Sequence, residues 1–166
     1  MAVDQSMAPT PNDSIVVFAP AASGALGTKI AAALDMPLSP HEESEFTGRE
    51  YKMRALHGVR NRSVYVIQSL FGDSRGSAND RLCQLLFFIA SLKDAGAARV
   101  TACVPYLAYA RQDRRTEARD PITARYIAQL FEAMGVDRVL ALDVHNLAAF
   151  DNAFRCPSVH LEAATL

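Results

Sequence analysis

The feature that most constrains the fold is a series of short apolar runs, rich in β-branched residues, that alternate with helical segments. The four clearest runs are Ser14–Ala19, Val64–Ser69, Arg99–Val104 and Asp137–Val144. Uninterrupted apolar runs of this length suit strands that are buried on both faces, as in a parallel sheet. Because strands and helices alternate along the chain, we predict an α/β domain with a mostly parallel sheet.

The helical segments carry start and stop signals. An Ala-rich helix is predicted over Gly24–Leu34, and a second helix from the capping residue Ser77 to Ala95. A third helix is predicted to begin at Asp120-Pro121, with Asp as the N-cap and Pro in the first turn, and to end at Gly135.

Residues 35–62 follow neither a helical nor a strand period clearly. The acidic stretch His41–Phe46 is interpreted as a solvated loop, and Tyr51–Leu56 is a possible strand. Three histidines in irregular segments are predicted to be surface residues: His41, His57 and His160. The three cysteines show no disulfide or metal spacing and are predicted to be reduced core residues: Cys83, Cys103 and Cys156.

Length and charge narrow the class of protein. The chain has 166 residues, with 17 Lys+Arg against 18 Asp+Glu and a formal net charge of −1. That length predicts one domain over residues 14–166, after a polar, disordered N-terminus at residues 1–13. Near-neutral charge argues against nucleic-acid and membrane partners, whose binding depends on excess Lys and Arg. The chain shows no secretory signal and no apolar run of roughly 18 residues, so we expect a cytoplasmic protein.

The loop after Val104 is the first candidate site, because ligands bind outside the carboxyl ends of parallel strands. It spans Pro105–Arg119 and contains Gln112, Asp113, two tyrosines (Tyr106 and Tyr109) and four arginines (Arg111, Arg114, Arg115 and Arg119). Guanidinium groups suit phosphate oxygens, and tyrosine rings offer a stacking face. The composition fits equally well an anion-binding loop and a solvated loop whose charges neutralise one another, and the position after a buried strand favours the anion-binding loop.

A second candidate follows the last predicted strand, at Asp143 and His145. In an extended backbone these side chains share a face, where they could bind a divalent metal ion or orient a phosphate. Mg²⁺ prefers oxygen ligands, so Asp143 is the more obvious ligand for it. The alternative is an Asp that caps the next helix beside a histidine with a structural partner.

The start of the first helix superficially resembles a phosphate-binding loop, since it reads Gly-Ala-Leu-Gly-Thr-Lys over Gly24–Lys29. The spacing of a P-loop is not met, because Thr precedes Lys and the upstream Gly is too close. Small residues that pack the helix onto the sheet are the better interpretation.

Several of these segments together resemble the N-terminal domain of the ribose-phosphate pyrophosphokinase family, also called phosphoribosyl pyrophosphate synthetases. The matching stretches, in the family's order, are Val64–Ser69, Ser77–Leu86, Pro105–Arg115, Asp120–Phe131 and Gly135–His145. The resemblance implies a three-layer α/β/α domain of the type I phosphoribosyltransferase-like fold. It also implies transfer of the diphosphoryl group of ATP to ribose 5-phosphate with Mg²⁺, in homo-oligomers that share active sites.

The resemblance also assigns roles to residues. Arg111 and Gln112 would bind ATP, with Asp113 and Arg114 supporting them, while His145 would lie at the metal–ATP phosphates beside Asp143. The family's Phe-Ser-Asp-Gly-Glu segment contacts the adenine of a neighbouring subunit's ATP.

That adenine-contacting segment is altered in this chain. It keeps Phe46 and Glu50, so these two are further ATP-binding candidates, but Gly48 and Arg49 stand where the family has Asp and Gly. After Asp143-Val144-His145, the acidic residues of the family are reduced to Asp151. These departures indicate a divergent branch.

The family's second domain, with its ribose 5-phosphate loop and mobile basic loop, has no counterpart in these residues. The final stretch, His160–Leu166, resembles a helix without a C-cap, so we expect a piece of a longer enzyme. On this interpretation the chain has no catalytic residue of its own and is inactive alone. The alternative is a non-catalytic protein that regulates or oligomerises with an active synthetase.

Overall fold

The computed structural model describes residues 14–163, so the predicted disordered segment at residues 1–13 lies outside the described part. Strands and helices alternate through this part of the chain. In order they are β1 (Ile15–Phe18), α1 (Gly24–Ala33), β2 (His41–Glu45), β3 (Tyr51–Ala55), β4 (Ser63–Ile67), α2 (Ala78–Asp94), β5 (Arg99–Val104), α3 (Thr123–Ala133), β6 (Arg138–Leu142), α4 (Leu147–Ala153) and β7 (Ser158–Leu161).

Five of the strands form one parallel sheet in the order β1-β4-β5-β6-β7. Val64 in β4 stands beside Val16 on one side and Val100 on the other, so apolar residues line up across the sheet. All five strands point the same way, and their carboxyl ends meet at one edge. The predicted parallel α/β fold is confirmed.

Helices cover both faces of the sheet, which confirms the three-layer arrangement. One face packs on α2, α3 and α4, with Phe18, Phe88 and Phe131 fully buried in the shared core. The alternate residues of the strands, such as Val17, point to the opposite face and pack with Ile30 of α1.

The packing of α1 depends on a glycine. A Cβ atom added at Gly27 would lie 2.1 Å from the Cβ of Ala19, far inside van der Waals contact. Only a residue without a side chain lets the helix approach the end of β1 this closely. The interpretation of Gly24–Lys29 as small-residue packing is thereby supported.

The ends of α2 and α3 differ in how well the sequence predicts them. Ser77 caps α2 in a capping box with Asp80, as its position indicated. The predicted start of α3 at Asp120-Pro121 is wrong, because the helix begins at Thr123 after an Ile122 cap. The Asp120 carboxylate instead accepts hydrogen bonds from the backbone amide and hydroxyl of Thr116, which closes a turn of the preceding loop.

The acidic stretch His41–Phe46 is not a solvated loop, contrary to the prediction. Residues His41–Glu45 form strand β2, which pairs antiparallel with β3 in a separate hairpin. His41 is not a surface residue either, since its side chain is 15% exposed and its ring packs edge-on against Phe18. The possible strand at Tyr51–Leu56 is confirmed as β3.

Three further expectations change. A helix was expected over His160–Leu166, but Ser158–Leu161 form strand β7, with His160 partly buried within it, and residues 164–166 lie outside the described part. Cys83 is exposed on α2 rather than buried in the core, while Cys103 and Cys156 are partly buried.

Among residues 14–163, no helix is long and apolar enough to cross a membrane.

Candidate functional site

A cavity of about 720 Å³ opens at the carboxyl edge of the sheet, between the loops that follow β4, β5 and β6. Its polar and aromatic lining comes from all three loops: Phe71, Tyr106, Tyr109, Arg111, Gln112, Asp143 and His145. Both loops that the sequence singled out therefore border one space. This is where ligands bind in open parallel sheets.

The long loop after β5 is held in place by its neighbours. Tyr109 has a φ of +65°, a conformation that is uncommon for a bulky side chain. Its hydroxyl donates a hydrogen bond to Asn79 in the first turn of α2. The backbone amide of Ala124 donates to the carbonyl of Gln112 (3.2 Å), and Thr123 donates to the Gln112 side chain. These bonds connect the loop to two helices.

The arginines of this loop are not paired with its acidic side chains. Within the described residues, Arg111, Arg114 and Arg119 make no ion pair and no side-chain hydrogen bond, and all three are exposed. Arg115 donates only to the backbone carbonyl of Asp120, at 3.1 Å. The alternative of a self-neutralising loop is therefore not what the structure shows, and Arg111 lies on the cavity with its guanidinium available.

Asp143 and His145 border the cavity, but not as two residues of an extended strand. Strand β6 ends at Leu142, and Asp143 has a φ of +47°. The expectation that both side chains share a strand face is therefore wrong. Asp143 Oδ1 accepts a hydrogen bond from the backbone amide of Ala163 at 3.1 Å.

The alternative in which Asp143 caps the next helix is also excluded. The N-cap of α4 is Asn146, whose side chain accepts a hydrogen bond from the amide of Ala149 at 3.1 Å. Asp143 is thus left at the mouth of the cavity without a capping role.

His145 lies between the cavity and a buried carboxylate. Its Nδ1 atom is 3.5 Å from Oδ2 of Asp113, and its side chain is 48% exposed, whereas that of Asp113 is 3% exposed. Nothing in the sequence distinguishes Asp113 from the exposed charged residues around it. Its side chain lines a crevice together with residues of α4 such as Phe150, a contact that the linear pattern does not encode.

The donor set of the cavity fits a metal ion that arrives with its substrate. Across residues 14–163, no group of three or more His, Cys, Asp or Glu side chains could form a protein cage for a metal. Asp143 and His145 are the two available donors on the cavity. Mg²⁺ commonly binds through one or two carboxylates together with substrate phosphates and water. The residues present fit that mode of binding.

Phe46 and Glu50 lie away from this cavity, at the tip of the β2–β3 hairpin. Glu50 borders a separate cleft of about 330 Å³ between the hairpin and α2, and Phe46 is 54% exposed. Arg49 has a φ of +65°, and its guanidinium lies 3.5 Å from Glu45 and donates to the carbonyl of Arg75 at 3.2 Å. The structure does not bring these two ATP-binding candidates to Arg111 within one chain.

Sequence reasoning missed a hydrogen-bonded cluster at the base of the hairpin. Glu43 accepts hydrogen bonds from the amide of Ala21 (2.6 Å), from Tyr51, and from His41 Nε2 (2.7 Å). The alternation of His41, Glu43 and Glu45 was the available signal, since it places these side chains on one face of a strand. Because these residues are charged or polar, the stretch was interpreted as a solvated loop instead.

The cluster shifts the pKa values of its members. The hydrogen bond with Glu43 raises the pKa of His41 above its ordinary value of 6.5, although burial opposes this. Burial tends to raise the pKa of Glu43, but the bonds from His41, Tyr51 and Ala21 outweigh it and lower that pKa. Burial and the Glu43 carboxylate raise the pKa of Tyr51.

The chain is similar in sequence to a known family of proteins. Residues 15–135 match the family described as the N-terminal domain of ribose phosphate pyrophosphokinase. The chain is 38% identical over 148 residues to the ribose-phosphate pyrophosphokinase of Clostridium tetani, covering 89% of this chain and 45% of that protein. It is 44% identical over 120 residues to the ribose-phosphate pyrophosphokinase of Hyphomonas neptunium, covering 72% and 37% respectively.

A solved structure shows the same relationship. The phosphoribosylpyrophosphate synthetase from Mycobacterium smegmatis matches with a TM-score of 0.84 and 31% identity, over 90% of this chain and 49% of that one. The chain thus spans about half the length of the curated relatives and the structure that it matches.

Proposed function

The chain belongs to the ribose-phosphate pyrophosphokinase family, and on that premise we propose that it supplies the nucleotide-binding half of such an enzyme. The complete reaction would move the β,γ-diphosphoryl group of ATP to ribose 5-phosphate. The C1 hydroxyl oxygen forms the new bond to the β-phosphorus and gives up its proton, and AMP leaves. Phosphoribosyl pyrophosphate, the other product, is used in nucleotide biosynthesis.

The observation that carries this proposal is the set of charged and polar groups that line the cavity at the carboxyl edge. Arg111 offers a guanidinium that has no partner among residues 14–163, and Gln112 and His145 offer polar groups beside it. Phosphoryl-type transfer depends mainly on positioning and on neutralising phosphate charge. In the proposal, Arg111 and Gln112 bind ATP, and Arg114 adds positive charge at the rim.

Mg²⁺ is part of the proposal as a substrate-borne ion. Asp143 and His145 would hold it together with the ATP phosphates, where it neutralises phosphate charge. The protein's own contribution is to fix the donors, since Asp143 is tied to Ala163 and His145 stands against Asp113.

The remaining parts of the proposal concern what lies outside this cavity. Ribose 5-phosphate would be bound by residues beyond these 166, and the adenine by Phe46 and Glu50 of a second subunit in a homo-oligomer. The exposed position of Phe46 at the hairpin tip supports a contact between chains. The proposed location is the cytoplasm, and the isolated chain is proposed to be inactive.

A titration of the chain with Mg-ATP tests the nucleotide site. We expect Arg111→Ala to weaken binding by roughly tenfold to 100-fold, the usual effect of losing a hydrogen bond between charged groups. The matched control is Arg99→Ala, which removes an exposed arginine at the start of β5, the end of the strand away from this loop. Equal affinities for the wild type and Arg111→Ala would show that the loop is not the ATP site.

Arg49 favours a second candidate, a non-catalytic partner of an active synthetase. It occupies the left-handed position of the hairpin tip, where the family has glycine, and its guanidinium is bonded to the neighbouring loop. This candidate predicts that the chain co-elutes with an active ribose-phosphate pyrophosphokinase and changes that enzyme's rate. An unchanged rate in the presence of excess chain contradicts it.

A further inference from the structure

Asp113 is buried in surroundings that do not suit a carboxylate. Its side chain is 3% exposed, and in the described part of the chain its Oδ1 atom has no hydrogen-bond partner. The crevice around it is almost entirely apolar: Leu107, Ala110, Ala124, Val144, Ala149, Phe150, Ala153 and Phe154, with Asn146 the other polar member. Burying an incompletely bonded carboxylate costs free energy. Packing alone therefore gives no reason for an acid at this position.

His145 is the group that Asp113 faces. The Asp113 Oδ2 atom lies 3.5 Å from Nδ1 of His145, within reach of a hydrogen bond after a small rotation of the ring. His145 lines the cavity at the carboxyl edge, whereas Asp113 lines the crevice behind it. The two nitrogens of an imidazole point in divergent directions, so a ring with Nδ1 toward Asp113 turns Nε2 toward the cavity.

We propose that Asp113 is a positioning residue, which accepts the Nδ1 proton of His145 in a hydrogen bond and keeps the Nε2 lone pair directed into the cavity. The bond made by one ring nitrogen decides which nitrogen carries the proton in a neutral histidine. Carboxylates behind metal-binding histidines commonly act in this way. That Nε2 would bind a cation held by phosphate rests on the proposed function. The tautomer of His145 does not rest on it.

The family resemblance gives Asp113 a supporting role at the ATP site, and the position of its side chain favours an indirect one. The side chain does not border the cavity at the carboxyl edge, and His145 stands between the two. The carboxylate therefore acts through the imidazole. This distinguishes Asp113 from Asp143, which borders the cavity directly.

Nuclear magnetic resonance of the ¹⁵N-labelled chain tests the proposal, because two-bond couplings within the imidazole report which nitrogen carries the proton. At about pH 8, we expect His145 to be the Nδ1–H tautomer in the wild type. Asp113→Leu should shift it toward the Nε2–H form. Asp151→Asn, which alters an exposed acid on α4, should leave it unchanged. A wild-type ring in the Nε2–H form would overturn the proposal, and so would a tautomer indifferent to Asp113→Leu.

Two further measurements separate positioning from a structural role. Leucine has the same number and branching of side-chain heavy atoms as aspartate and suits the apolar crevice, so Asp113→Leu should unfold at the same or a higher temperature than the wild type. Its affinity for Mn²⁺ in the presence of ATP should fall roughly tenfold to 100-fold. An unchanged Mn²⁺ affinity contradicts positioning. If the wild type binds no Mg-ATP but shows the Nδ1–H tautomer, the proposed function fails and the positioning role of Asp113 stands.

Discussion

The three cysteines differ in exposure and therefore in expected reactivity. Cys83 is exposed on α2, whereas burial raises the pKa of Cys103 to about 11 and also raises the pKa of Cys156. Because the thiolate is the nucleophile, we expect iodoacetamide to label Cys83 well before the other two. Peptide mass spectrometry after timed labelling measures this, with the denatured chain as the control in which all three react. Labelling of Cys103 before Cys83 would contradict the structure.

At the scale of single residues, the chemistry of a side chain can be predicted from the sequence more readily than its burial. Arg111, Gln112 and His145 could be chosen because their side-chain types and their place after buried strands pointed to phosphate binding, and all three line one cavity. The left-handed backbone of Asp143 and the burial of Asp113 could not be predicted. Asp143 bonds Ala163 and Asp113 lies against α4, and in both cases the partner is far away in sequence.

At the scale of elements, α1 is held by one close approach, and a substitution there should be costly. The Cβ of Gly27→Ala would overlap the Cβ of Ala19, so we expect a loss of about 1–3 kcal/mol in the free energy of unfolding. Gly24→Ala is the matched control, because its Cβ would have no atom within 4 Å. Denaturant unfolding of both variants measures the difference. Equal stabilities would show that α1 does not pack as described.

The hairpin should give the stability of the domain a particular pH dependence. The raised pKa of His41 stabilises the fold fully below its unfolded value of 6.5, and this contribution is lost as pH rises through the folded pKa. The lowered pKa of Glu43 stabilises the fold above its unfolded value of 4.5, and this contribution is lost as pH falls through the folded pKa. The cluster therefore contributes most between pH 4.5 and 6.5.

Thermal unfolding across this pH range tests the cluster. We expect the unfolding temperature of the wild type to fall as pH rises above 6.5, and Glu43→Gln to reduce that dependence. Glu42→Gln is the matched control, because Glu42 lies on the other face of β2 and bonds Arg54. A slope that Glu43→Gln leaves intact would show that His41 titrates independently of Glu43.

The elements themselves were predictable where local signals and tertiary packing agree. The β-branched runs became the parallel strands, and Ser77 caps α2 as its spacing indicated. The start of α3 was wrong because Asp120 bonds the loop before it rather than the helix after it. Strand β2 was missed because its inward side chains are polar and satisfy one another through Glu43, which a hydrophobic pattern cannot reveal.

At the scale of the whole molecule, a net charge of −1 conceals a local concentration of positive charge. Arg111, Arg114 and Arg119 are unpaired on one loop in the described part of the chain, and Arg111 faces the cavity at the carboxyl edge. The position of the cavity could be predicted because the loops after parallel strands all lie at one edge of the sheet. The proposed division of an active site between these residues and others is not visible in this edge alone, and rests on the family relationship.

We propose that these 166 residues bind Mg-ATP at the carboxyl edge of the sheet but do not complete the reaction. The most direct test incubates the chain with Mg-ATP and ribose 5-phosphate and quantifies AMP and phosphoribosyl pyrophosphate by chromatography. Saturable Mg-ATP binding without either product is the expected result. Formation of phosphoribosyl pyrophosphate by the chain alone, abolished by Arg111→Ala, would contradict the claim that the site is only half present.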